Sequence, residues 1–136
     1  MNPIAVESAL RLALLPFFPS GVTLYTGTSY TVTQPESLNV IVSVDDLQHQ
    51  AGGLYIAEAT IRLMGPALYG SQVFTDLQAA LACIQAALTS TAFSAGWPQD
   101  AGSPAYGGVY VRQATARQAG EQWDLEVAFR LGVVFS

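Results

Sequence analysis

A chain of 136 residues with 51% hydrophobic content has the size of one domain and enough apolar material for a core of its own. Its ten acids against five bases give a net charge of −5, with arginine as every basic residue and no lysine. That balance excludes a phosphate-neutralising nucleic-acid binder. The 11% charged content is well below the roughly 25% of soluble domains. Two readings of that deficit stand side by side: surface buried against other chains, or the compact product of a GC-rich genome.

Asn2 followed by Pro3 reads as a cap and first helical residue. Val6, Leu10, Ala13 and Leu14 then share a helical face until Pro16 and Pro19 end it. The apolar run Leu10–Phe18 is too short to span a bilayer, and Glu7 stands where a signal peptide needs positive charge. A soluble, cytoplasmically assembled chain without a membrane partner is expected. The lone Cys83 fits a reducing compartment and has no internal disulfide partner.

Residues 22–33 are rich in β-formers around Gly27 and predict a short hairpin. Alternation predicts a strand over Leu38–Val44 and another over residues 54–64, joined by a polar connection through Asp45, Asp46 and His49 to Gly52-Gly53. Val73, Leu77, Leu81, Ile84 and Leu88 predict one long helix over about Ser71–Thr89. Residues 94–108, with four glycines and two prolines, predict a long flexible loop. From Val109 the chain predicts a closing hairpin with Gln118-Ala119-Gly120 as a three-residue loop, Arg117 opposite Glu121 and Arg112 opposite Glu126.

The expected fold is a single α+β domain over 1–136. Its sheet is largely antiparallel or mixed, with an N-terminal helix and one long central helix on one face.

Candidate chemistry is sparse. Asp45, Asp46 and His49 have metal-ligand flavour, but neighbouring strand residues point to opposite faces, and a solvated loop is the better reading. His49 is the sole histidine, no serine sits in a nucleophile elbow, and the glycine pairs lack phosphate-loop spacing. No catalytic residue, metal or cofactor is assigned, and an enzyme is not expected. Trp97, Tyr106 and Tyr110 cluster around the long loop as candidate interface residues, with Trp97 beside Pro98 equally able to plug the core. Trp123 is assigned to the core.

In layout the chain resembles the tail terminator (tail completion) proteins of long-tailed bacteriophages. The carriers are the helix Pro3–Leu15, the strands Leu38–Val44 and Leu54–Met64, the helix Gln72–Leu88, the hairpin Val109–Leu131 and the glycine-rich loop. The resemblance implies a homohexameric ring in the virion tail or neck. That ring caps the tail tube, ends its polymerisation and joins the tail to a head-completion or neck protein, while DNA only passes through. It suggests that Glu121, Asp124 and Glu126 form an acidic row near the channel and that loop 94–108 meets a partner. The alternatives are another neck or head–tail joining component, or a small-ligand-binding α+β domain acting as a dimer.

Overall fold

The computed structural model describes residues 3–20, 22–27, 38–99 and 103–135. Helix α1 spans Pro3–Leu14 and runs into a 3-10 turn at Leu15–Phe17, where Pro16 ends it. Strand β1 is Val22–Thr26, β2 is Leu38–Ala51 and β3 is Leu54–Pro66. Helices α2 (Ala67–Val73), α3 (Leu77–Thr89) and α4 (Thr91–Ala95) follow, then β4 (Ala105–Ala119) and β5 (Gln122–Val134).

The strands form one mixed sheet in the order β1-β2-β3-β5-β4, with β1 parallel to β2 and the other pairs antiparallel. Four of its strands have 13 to 15 residues, and no helix exceeds 13. The protein is therefore mostly sheet with short helices. This corrects the expected α+β layout built around one long central helix.

The central helix fails at Phe74–Asp76. Asp76 has extended backbone angles and its side chain accepts a hydrogen bond from Ala79 N at 2.8 Å, so it caps a new helix instead of continuing the old one. The break lets Phe74 turn into the core and sets Gly70 against the ring of Trp123, where a Cβ would come within 2.5 Å of the indole. Val73 and Leu77, which share a helical stripe on paper, belong to different helices.

Strand β2 also runs further than its apolar alternation, continuing through the polar segment Asp45–Ala51 and pairing with β3 to Ala51↔Leu54. Gly52, at φ 55°, makes that turn. In the closing hairpin the pairing is Ala119↔Gln122 and Arg117↔Asp124, so the loop is Gly120-Glu121 alone. Gly120, at φ 62°, occupies the first loop position, where a type II′ turn requires glycine. Two-residue turns of this type match strand twist, which favours this register over the three-residue loop. Arg112 consequently does not face Glu126; it sits at a bulge between Val111 and Gln113.

Val22–Thr26 forms a strand that pairs in parallel with β2. The rest of that expected hairpin, and the Asn2 cap, lie outside the described residues. The stretch expected as a loop over 94–108 holds the end of α4 and, from Ala105, the start of β4.

One face of the sheet is the core. Val40, Val42, Ala57, Ala59, Ile61, Leu63, Leu125, Val127, Phe129, Leu131 and Val133 are buried there, under Val6, Leu10 and Leu14 of α1 and Ala80, Ile84 and Leu88 of α3. The alternation of β3 and β5 turns every intervening residue the other way. Among the described residues no helix covers that second face.

Candidate functional site

The uncovered face is where the chain gathers its charge. Glu58, Thr60 and Arg62 of β3 stand beside Arg130, Ala128 and Glu126 of β5, and Met64 stands beside Asp124. Arg62 grips Asp124 through two bonds, Nε to Oδ1 at 3.1 Å and Nη2 to Oδ2 at 3.0 Å. Glu58 accepts from Arg130 Nε at 2.8 Å with one oxygen and from Arg112 Nη1 at 3.0 Å with the other. Arg117 lies opposite Asp124 on β4. Four of the five arginines thus share one sheet face, and Arg11 on α1 is the exception.

These pairs shape the titration of the face. The Arg130 hydrogen bond holds the Glu58 carboxyl below the usual carboxylate range, with Arg112 adding to it and partial desolvation opposing. The Arg62 hydrogen bond lowers Asp124 in the same way, against desolvation and with help from the Arg62 and Arg117 charges. A depressed folded-state value contributes stability that is complete above the ordinary carboxylate values of about 4 and lost as pH falls through the lowered ones. Urea midpoints should therefore fall on acidification below about pH 4, and the fall should be shallower in Glu58→Gln and Asp124→Asn. Parallel acid slopes for variants and wild type would refute the assignment.

Of the three acids expected in one row, Asp124 and Glu126 lie two residues apart on the open face of β5, while Glu121 sits in the hairpin turn. Asp124 is bound to Arg62, so the row is not a strip of bare acids. Asp45 accepts from Thr60 Oγ1 at 2.8 Å, and Asp46 accepts from Leu47 N and from Gln48 Nε2, both at 2.9 Å. His49 Nε2 bonds Gly52 O at 2.8 Å and its ring packs on Tyr55. Among the described residues no cluster of His, Cys, Asp and Glu is arranged to hold a metal ion.

The three aromatics separate. Trp97 is 1% exposed, and its Nε1 donates to Pro104 O at 2.7 Å, which ties the segment after α4 to the strand that follows. Phe93, Trp97 and Tyr106 pack against one another, with centroids 5.6 to 6.0 Å apart. Burial raises the Tyr106 hydroxyl above its usual value. Tyr110 alone stands out, 68% exposed beside Arg130 on the open face. Beneath it Gly108, Gly132 and Ile56 line a shallow groove that reaches Gln48 and Gln50. The Glu58 and Arg62 ion pairs join strands distant in sequence. Their only sequence signal is the polar alternation of β3, which marks the residues without naming their partners.

No protein-family model matches this chain, and no curated protein does. Among solved structures, it is similar to a chain in the virion of a native gene transfer agent (GTA) particle. That superposition has a TM-score of 0.58 and 17% sequence identity over 98% of this chain and 94% of the other. A likeness of that extent and identity establishes a shared fold across the whole domain.

Proposed function

We propose that this protein is a non-enzymatic structural component of a phage or phage-like virion, and within it the tail terminator. Six copies form a ring that caps the tail tube, stops its polymerisation and presents a docking face to the neck and head. The observation that carries this reading is the likeness to a GTA virion chain over 98% of the present chain and 94% of the other.

The open sheet face supports it. Arg62, Arg112 and Arg130 are engaged by Asp124 and Glu58, so a face bordering a DNA channel offers the phosphates few free cations. Glu126 and Glu121 add negative charge beside them. Tail-tube and head-completion proteins are the partners in this reading, and the assembled particle is where the protein resides.

Particles made without this chain distinguish the terminator from another neck component. A terminator's absence gives overgrown tubes of irregular length in electron micrographs. Absence of a different joining protein gives tubes of normal length detached from heads, which would defeat the terminator reading and retain the virion role. Normal, DNA-filled, joined particles would defeat both.

A further inference from the structure

The two edges of the sheet are built differently. On the β1 side α1 supplies side chains to the edge: Arg11 Nε donates to Leu24 O at 3.1 Å, and the buried Glu7 accepts from Val44 N at 2.9 Å. These contacts occupy backbone groups that another strand would need. They stop at Val44. Strand β1 pairs only with Leu38–Val42, and from Asp45 onward β2 has no described strand on that side. Its residues there are almost all exposed. At the opposite edge, β4 is the last strand over 15 residues and pairs with β5 alone among the described residues.

The two edges without a described neighbouring strand carry opposite charge. Strand β4 contains Arg112 and Arg117 and no acid, whereas the open part of β2 contains Asp45 and Asp46 and no arginine. Arg112 is engaged by Glu58, which leaves Arg117 as the outlying cation, in a regular stretch of β4 beyond the bulge at Arg112. Among the described residues, Asp45 and Asp46 are bonded to neutral donors. Arg117 faces Asp124 and Asp46 faces Glu58, so both project from the open face of the sheet.

We propose that the β4 edge of one copy pairs with the Asp45–Ala51 edge of β2 in a second copy, with Arg117 meeting the Asp45–Asp46 pair. Charge selects this arrangement over the symmetrical alternative. Joining β4 to β4 would bring arginine-bearing strands together, and like charges on facing strands oppose pairing. Used once between two copies, such a contact leaves one unfilled edge at each end, so copies add until a ring closes or a filament continues. The inference rests on the ring reading only in choosing a second copy as the occupant.

The test is the mass of the full chain in solution by light scattering, with circular dichroism as the check on folding. Wild type is expected as a multi-chain species whose mass falls with added salt, because the pair is exposed. Arg117→Glu and the double change Asp45→Arg with Asp46→Arg should each drop to the 14.4 kDa of one chain. All three changes together should restore the assembly. Arg117→Gln, which adds no charge facing Asp124, serves in place of Arg117→Glu if that variant fails to fold. A wild-type monomer at every concentration, or single reversals that leave the mass unchanged, would overturn the edge pairing. None of these results bears on tube length without the protein, so the terminator reading fails or stands separately.

Discussion

Trp97→Ala should cost about 3–5 kcal/mol of folding stability, the range for truncating a buried large aromatic. The indole is 1% exposed, lies edge-on to Phe93 at 6.0 Å and packs on Tyr106 at 5.6 Å. Its Nε1 also donates to Pro104 O at 2.7 Å, so truncation empties a cavity and leaves a buried carbonyl without its donor. Trp97→Phe separates the two effects, because it keeps most of the ring volume and loses the donor. Urea unfolding should place Trp97→Phe between wild type and Trp97→Ala. A Trp97→Ala chain of wild-type stability with impaired assembly would return Trp97 to the interface.

Trp97 also shows why its role is not legible in the sequence. Glycines and prolines around it announce an irregular segment, and an aromatic in such a segment fits an interface as well as a core. What decides is the path of β4. The strand begins at Ala105 and carries Tyr106 back beside Phe93, which closes an aromatic cluster over the indole. No local pattern encodes that return.

The same physics divides the rest of the fold. Strand β3 is legible because Ala57, Ala59, Ile61 and Leu63 alternate with Glu58, Thr60 and Arg62, and period two has one structural meaning. The end of β2 is not, because Asp45–Ala51 has no apolar face and is held in the sheet by backbone pairing to β3. The apolar stripe from Val73 to Leu88 overstates the helix. Periodicity reports which residues face the core and is silent on the Asp76 cap that interrupts the backbone. In the closing hairpin Gly120 correctly marks the turn, but the loop length sets every pairing. A two-residue loop moves Arg117 from Glu121 to Asp124 and Arg112 from Glu126 to the Glu58 carboxyl. The charged residues of the candidate surface were therefore visible as residues, while their partnerships depended on register and on the β3–β5 pairing between distant segments.

Glu7→Ala should lower stability by about 1–3 kcal/mol, the cost of leaving a polar group of the interior without its partner. Glu7 is 3% exposed on a helix whose other inward residues are Val6, Ala9, Leu10, Ala13 and Leu14, so a carboxyl there has no place in a purely apolar interface. Its Oε2 accepts from Val44 N at 2.9 Å, at the point where β1 has ended and β2 continues. Among the described residues the pairing of this edge ends just before Val44, and the carboxyl supplies the acceptor that a neighbouring strand supplies one step earlier. Glu7→Gln keeps an acceptor of the same length and should retain most of the stability; Glu7→Leu keeps the volume, removes the acceptor and should behave like Glu7→Ala. Hydrogen exchange localises the effect: protection of the Val44 amide should collapse in the alanine and leucine variants and persist in the glutamine variant. Equal protection in all three would show that the amide is held by something other than Glu7. If the free β2 edge beyond Val44 is an assembly edge, loss of this contact also loosens the strand just where the second copy docks. The alanine variant should then assemble more weakly than its folding stability alone accounts for.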